Sequence, residues 1–562
     1  MRAKTDPTTS RLTPRVWLLL CVCLVLLVVV VAALGDVRVN SGSDAGGKTA
    51  TVANIAENGP GGVDLGYWAE AEDPDGLHHP FIKTDRSDLG WIQITGSAMP
   101  LASSAGQRAA GGLGALWLSI LAVPLGALAA ARLSRQLGAQ TGIVAFVVVG
   151  ALSPLTFYGA DQWEHAPALA AALWAFTLMR EELSLRKFVV LGLTAGVAVA
   201  LRRETGLFLG VMAMVELWDG GRRRWWLSHI PQAAAAGGSA LAVLVAVNWL
   251  DATVIGATLT ERSGSQIALA GSDLRDRFHD GILTTVSQYS NLDPAYFVFG
   301  VMTLGGIALA AWGWERNDSR YVRVGFALVV VSLVVRLMVA GLTFVPGAFA
   351  ALPLTAAAPI LARKLGKRLI VGAAVSTVTI IMLQWTGSLN AQWGGRYLLV
   401  PAAVVAVVSC TELERRDLRH PVAVLAIAST ALVAGLGLAW HVERTNTVTE
   451  NREQILALTS GDVVVSNNAH FGREVAIDLL DERWLAGVTP ELVVEAFRVA
   501  SRAAPDESVW LLHPGTCAGD ECGRTWAERD DATELPGWRS TGLHEIAWLG
   551  GGTYVLEAFS AN

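Results

Sequence analysis

Residues 188–217 read FVVLGLTAGVAVALRRETGLFLGVMAMVEL, and their only charged residues are the central Arg202-Arg203-Glu204 triplet and Glu216 near the end. Two readings compete. One long interrupted helix would put Arg222, Arg223 and Arg224 on the opposite side of the membrane from the other basic loops. Two short spans that meet at the triplet keep all of these loops together. Lys and Arg accumulate in the cytoplasmic loops of polytopic proteins. The rest of the chain follows that rule on every second loop: Arg132 and Arg135; Arg180, Arg186 and Lys187; Arg316, Arg320 and Arg323; Arg363, Lys364, Lys367 and Arg368; Arg415, Arg416 and Arg419. The two-span reading is therefore adopted.

The composition agrees. The chain has 562 residues, 52% hydrophobic and 16% charged, with a formal net charge of −6 and a mean hydropathy of +0.43. A soluble domain is about a quarter charged, and binding to nucleic acid calls for a basic surface, so both classes are excluded. The run at 16–34 follows Arg2, Lys4, Arg11 and Arg15 and ends without a small-x-small cleavage site, so it reads as a retained first span with its N-terminus in the cytoplasm. Further apolar runs lie at 113–131, 141–158, 166–179, 188–201, 205–217, 232–250, 295–313, 324–343, 346–362, 369–387, 398–410 and 421–440. That makes about thirteen spans, several of them shorter than the ~20 residues a bilayer asks for.

Two large outer segments follow, at about 35–110 and about 251–293, and the odd span count places the tail outside as well. The expected architecture is an all-α polytopic membrane domain (1–440) and a small extracytoplasmic α/β domain (441–562). In the tail, 462–468 (DVVVSNN) and 508–514 (SVWLLHP) read as buried strands, and the segment from Thr489 reads as an amphipathic helix with that threonine as N-cap. Cys517 and Cys522 suit a small disulfide loop in an oxidising exterior; the tail lacks the further ligands of a zinc site. Cys21, Cys23 and Cys410 lie in spans as small apolar residues.

The exceptions to the charge rule carry the chemistry. Arg202, Arg203 and Arg396 fall on the outer side, and Arg336 inside a span. Ionisable groups in the membrane are costly and mark functional sites or structural pairs. A guanidinium fork fits two phosphate oxygens, so an anionic lipid head is a natural ligand; an ion pair such as Arg203 with Glu204 is the structural alternative. The outer acids are Asp36, Asp44, Asp161 and Glu164, the last beside His165. A carboxylate near an apolar surface can act as a base or hold a divalent cation. Equally, Asp44 or Ser43 can cap the helix that follows, and Asp161 and Glu164 can complement a helix dipole. Tyr67, Trp68, Trp91, Tyr158, Trp163, Trp385, Trp393 and Tyr397 gather on the outer side, where an interfacial belt is the plain reading.

Four stretches in order carry a resemblance: SDAGGKTATVANIAENG (43–59), SPLTFYGADQWEHAP (153–167), GLTAGVAVALRRETG (192–206) and QWGGRYLLVP (392–401). Together they resemble the GT-C superfamily of integral-membrane glycosyltransferases, which includes protein O-mannosyltransferases and aminoarabinose transferases. The resemblance spans roughly 16–410. Many members carry an Asp-Glu pair early in the first outer loop; here Asp44 is followed by Ala45, Gly46, Gly47 and Lys48, so Asp36 remains a rival.

The resemblance implies inverting transfer of a sugar from a polyprenyl-phosphate carrier to an acceptor at the outer face of the cytoplasmic membrane. It implies Asp44 as general base, with Asp161 and Glu164 orienting the acceptor or, with Asp44, holding a metal ion. It makes Arg396, Tyr397, Arg202, Arg203, Lys48, His165 and Trp393 the substrate-binding set. No cofactor is required beyond that optional divalent metal; the partners are the lipid-linked donor and membrane lipids. The rival readings are a transporter or lipid flippase, which would place charges at mid-membrane as Arg336 suggests, a polysaccharide polymerase or ligase, and a scaffold presenting the tail.

Overall fold

The computed structural model describes residues 12–39, 43–81, 84–93, 96–181, 184–218, 224, 227–256, 274–287, 294–341, 345–383, 393–468, 472, 475–515, 525–528, 533–547 and 553–561. The chain forms two compact units. One comprises Met1–Val30, Leu118–Asn248 and Ser263–Trp440; the other comprises Val31–Trp117, Trp249–Arg262 and His441–Asn562.

Among the described residues, eight helices are long and apolar enough to cross a membrane: Pro14–Leu34, Trp117–Gln136, Ile230–Val254, Tyr296–Arg316, Ser319–Val339, Lys364–Leu383, Arg396–Arg415 and Pro421–Thr459. Further apolar runs form shorter helices, Ile143–Ala151, His165–Met179, Leu185–Leu201 and Glu204–Leu217. The protein is thus a largely helical, multi-pass membrane protein. The helix Arg396–Arg415 is 94% buried, as its nearly uniform apolar surface requires.

The 188–217 stretch breaks where the triplet sits. One helix ends at Leu201, Arg202 is extended, and the next helix starts at Glu204. The packing shows that the chain turns back there. Gly192 lies against Ala236 and Gly196 against Ala240, so the helices Leu185–Leu201 and Ile230–Val254 run parallel. The intervening helix Glu204–Leu217 must return the chain to its starting level. Glycines and small residues allow this close helix approach.

The run at 346–362 differs from the expected span. It holds a 3-10 turn, Pro353–Ala357, and one helical turn, Ala358–Leu361. Pro346, Pro353 and Pro359 remove backbone donors and break any longer helix.

The basic loops are tied to one another. Arg132 pairs with Glu181 at 2.5 Å, Arg180 with Glu216, and Arg416 with Glu315 at 2.6 Å. Arg415 reaches the Leu137 carbonyl and the Arg363 N–H donates to Glu412.

The second unit is built from the first large loop and the tail. A hairpin pairs β1 (Thr84–Ser87) with β2 (Gly90–Gln93). The tail forms a five-stranded mixed sheet, in which β3 (Val463–Ser466) lies between β4 (Trp484–Ala486) and β5 (Val509–Gly515), parallel to both. Strands β6 (Trp538–Ala547) and β7 (Thr553–Ala561) add antiparallel on the β5 side. The expected strands at 462–468 and 508–514 are β3 and β5. Thr489 caps the helix Pro490–Ala503, accepting a hydrogen bond from the Leu492 N–H. That helix buries Val493, Ala496, Phe497 and Ala500 against β3 and β5.

The other edge of β4 is covered by the first loop. The Ala486 N–H donates to the His78 carbonyl at 2.8 Å, His78 Nδ1 lies 2.9 Å from the Ala486 carbonyl, and Trp68 Nε1 donates to the Trp484 carbonyl. An open strand edge invites aggregation, and this loop closes it. Trp91 is therefore buried, and Tyr67 and Trp68 pack half-buried against the core of the unit, which corrects the belt reading for these three. Cys517, Cys522 and Trp385 lie outside the described residues.

Candidate functional site

In the first unit three loops separated in sequence converge. The first follows the short helix Pro154–Gly159, whose Ser153 cap accepts from the Leu155 N–H and which delivers Tyr158. It continues through Asp161, Gln162, Trp163, Glu164 and His165, all buried. The second is the break at Arg202–Glu204. The third is Trp393–Tyr397, where Gly394 and Gly395 take φ of +69° and +58°. Only glycine adopts two such residues in succession at little cost, and a Cβ on Gly395 would strike the Thr284 carbonyl and Ala348. This turn projects Arg396 and Tyr397 from the start of the buried helix.

The rings and guanidinium groups interlock. The Arg396 guanidinium carbon lies 5.6 Å from the Trp163 ring centroid and 4.8 Å from that of Tyr397. Arg202 is 4.8 Å from the Tyr397 centroid as well. His165 packs 4.8 Å from Tyr158, 5.1 Å from Trp163 and 6.2 Å from Tyr397. The Tyr158 hydroxyl donates to the Trp393 carbonyl at 2.7 Å, and Phe157 stacks on Trp393 at 5.0 Å. Tyr158, Trp163, Trp393 and Tyr397 are thus buried in a cluster and not arranged as an interfacial belt, a correction to the sequence expectation.

Arg202 Nε donates to Glu204 Oε1 at 2.8 Å, so the expected pairing of Arg203 with Glu204 is made by Arg202 instead. The reason is local: Arg202 is the extended residue of the break, and Glu204 opens the next helix. Burial works against the charge on Arg202, but Glu204 and Glu164 outweigh it and hold the guanidinium firmly protonated. Arg203 is the half-buried N-cap residue of that helix. Glu164 takes the N-cap position of the helix His165–Met179 without a side-chain capping bond. Asp161 accepts the Gln162 N–H at 2.7 Å, and its charge, with those of Arg396 and Arg202, bears on the Tyr158 hydroxyl. Asp161, Glu164, His165, Arg202, Trp393, Arg396 and Tyr397 therefore share one neighbourhood. Two guanidinium groups thus share one aromatic ring, and a guanidinium fork is the side chain that matches two phosphate or carboxylate oxygens.

Asp44 and Lys48 belong to the second unit. The helix Ser43–Asn58 contains both; the side chains of Ser43 and Asp44 lie outside the described residues, and Lys48 is buried. Gly46 and Gly47 lie within this helix. Gly47 gives room to Gln93: a Cβ there would overlap its amide. Gln93 is buried with its Oε1 unpaired, a residue without any sequence motif to announce it.

Asp36 is already engaged. It forms a two-pronged pair with Arg38, closest at 2.7 Å, and accepts from Thr449 Oγ1 at 3.0 Å. Burial would raise its carboxyl, but the bonds from Arg38 and Thr449 outweigh it and hold it below the usual carboxylate range. A carboxylate so stabilised is a weak base. Arg336 is fully buried, but it lies near the end of its helix, donates to the Gly341 carbonyl at 3.2 Å and stands 5.9 Å from the Tyr296 ring. Among the described residues, no group of three or more His, Cys, Asp or Glu side chains is placed to hold a metal ion.

No family model matches the sequence, and no curated protein matches it significantly. Three solved structures are similar over most of this chain. ArnT from Cupriavidus metallidurans, bound to undecaprenyl phosphate, is 11% identical with a TM-score of 0.48, covering 97% of this chain and 98% of its own. The Archaeoglobus fulgidus oligosaccharyltransferase is 13% identical with a TM-score of 0.46, covering 89% of this chain and 70% of its own. The arabinofuranosyltransferase AftD from Mycobacteria is 12% identical with a TM-score of 0.43, covering 99% of this chain and 40% of its own. Likenesses this remote assign no role to any residue.

Proposed function

We propose that this protein is a membrane glycosyltransferase that takes a sugar from a polyprenyl-phosphate carrier at the outer face of the cytoplasmic membrane. The observation that carries the reading is the pair Arg202 and Arg396 on the Tyr397 ring, with Asp161 and Glu164 in the same buried cluster. Two cations among three buried carboxylates, Asp161, Glu164 and Glu204, suit a reaction whose leaving group is an anionic lipid phosphate and whose nucleophile must be oriented. The four ordered sequence stretches support the same chemistry.

In this mechanism the acceptor hydroxyl attacks the anomeric carbon from the face opposite the phosphate. The new glycosidic C–O bond forms as the bond to the phosphate oxygen breaks, inverting the configuration. The hydroxyl proton passes to a carboxylate base, the role that the sequence resemblance gives to Asp44. The electron pair leaves on the lipid phosphate, whose charge Arg396 and Arg202 receive. Asp161 and Glu164 orient the acceptor, and Trp163, His165 and Trp393 wall the site from water. Arg336, tied to the end of its helix, suits this reading better than a mid-membrane transport path.

The test is transfer of radiolabelled sugar from a polyprenyl-phosphate donor in proteoliposomes. Asp44→Asn and Arg396→Ala are each expected to reduce transfer at least 100-fold, on the order of one lost transition-state contact, while the protein remains inserted. Undiminished transfer in Arg396→Ala would overturn the phosphate-receptor reading; undiminished transfer in Asp44→Asn would remove Asp44 as base.

A further inference from the structure

We propose a second anion site on this protein, in the first unit, that takes a phosphate ester among the basic loops. A cavity of about 190 Å³ opens where the start of the helix Lys364–Leu383 meets the end of Leu399–Arg415. Its walls include Arg363, Lys364, Arg415, Glu412 and Thr411, with Val408 as part of the apolar floor.

Three cationic side chains face one carboxylate, and that carboxylate is already committed. Glu412 is buried, accepts the Arg363 N–H at 3.2 Å and lies 3.7 Å from Arg415. Its pairing fixes Arg415 in place, and Arg415 is held further by the Leu137 carbonyl at 3.4 Å. Arg363 and Lys364 are exposed at the mouth of the cavity. The lining therefore keeps a positive excess. The first turn of the helix Lys364–Leu383 adds backbone donors and the positive end of its dipole.

The location narrows the ligand chemistry. The cavity belongs to the loops that the charge pattern places at the cytoplasmic leaflet, where anionic phospholipids collect. Its apolar floor suits the first methylenes of an acyl chain, and its size suits a phosphodiester with a small head. A soluble phosphate ester has the same recognition chemistry. The site shares no residue with the Arg202–Arg396 cluster, and nothing in the proposed transfer reaction uses it.

The test uses the full-length protein purified in a neutral detergent. Equilibrium binding and thermal unfolding are measured with short-chain phosphatidylglycerol, short-chain phosphatidylcholine and glycerol phosphate. Phosphatidylglycerol is expected to bind at least about 10-fold tighter than phosphatidylcholine, and Arg363→Ala with Lys364→Ala to remove most of that preference, since each basic side chain near an anionic lipid contributes a factor of a few. Glycerol phosphate binding that the same substitutions abolish would identify a soluble ester as the ligand. Equal binding of the two lipids without glycerol phosphate binding, or unchanged binding in the variant, would overturn the proposal. If the double variant fails to fold, Lys364→Gln replaces it, read by the loss of salt dependence in phosphatidylglycerol binding.

Discussion

Arg202 and Arg396, which lie far apart in sequence, stand over the same ring, each guanidinium carbon 4.8 Å from the centroid of Tyr397. The tyrosine is thus the platform that sets the spacing of the two cations. On the proposed reaction, Tyr397→Leu is expected to lower kcat for sugar transfer by about 10-fold or more, because both cations lose their common support. Tyr397→Phe keeps the ring and loses only the hydroxyl, so it should retain most of the rate. Arg396→Lys should recover only a fraction, since an ammonium cannot form the planar two-oxygen contact. Initial rates over a range of donor concentrations separate these effects. Equal rates for Tyr397→Leu and Tyr397→Phe would show that the ring is not the support.

On the proposed reaction, Asp36 and Asp44 have different tasks. Asp36→Asn breaks the two-pronged contact with Arg38 and weakens that with Thr449. It is expected to cost about 1–2 kcal/mol of stability, in line with charge-assisted bonds, and to leave sugar transfer intact once folded. Thermal unfolding paired with transfer assays checks this. Loss of transfer in a well-folded Asp36→Asn protein would return Asp36 to the role of base.

Gly47 and Gln93 form a lock that a double substitution can read. Gly47→Ala forces the buried Gln93 amide out of its seat and should destabilise the protein by about 1–3 kcal/mol, the usual cost of overpacking. Gln93→Ala removes the clash, so Gly47→Ala should cost much less in that background. Additive effects of the two substitutions in denaturant melts would contradict the lock.

His79 predicts an acid-sensitive second unit. Its Nε2 donates to the Gly66 carbonyl at 3.0 Å and its Nδ1 accepts the Phe81 N–H at 3.1 Å, so the ring is held neutral. Burial pushes it from the ordinary 6.5 down to about 4, with Asp73 and Asp64 opposing. Between these values the unfolded chain binds more protons than the folded one. The contribution of His79 is therefore complete above pH 6.5 and is lost as pH falls toward 4, by at most about 3 kcal/mol. His79→Gln, which keeps a donor to Gly66, should flatten the fall in melting temperature between pH 7 and pH 4.5. An unchanged slope would place the acid sensitivity elsewhere.

The sequence by itself determined the membrane character, the break at Arg202–Glu204 and the strands at 462–468 and 508–514. These follow from local quantities: the length of apolar runs, the alternation of basic loops, a cap residue at Thr489. It also named nearly every side chain of the buried cluster, because charges and aromatics are conspicuous among apolar runs. Tertiary structure decided what those side chains touch. Glu204 pairs with Arg202 rather than Arg203 because the helix breaks one residue early. Trp91 is buried, and Tyr67 and Trp68 pack half-buried against the core, because the first loop folds onto the edge of β4. The prolines of 346–362 turn an apolar run into a buried irregular segment. Strands β4 and β6 had no clear signal, since one is three residues long and the other mixes polar and apolar residues. Pairing partners, burial and the convergence of loops near 160, 203 and 396 depend on contacts between residues far apart in the chain, and no local pattern of apolar length or charge encodes which distant surfaces will meet.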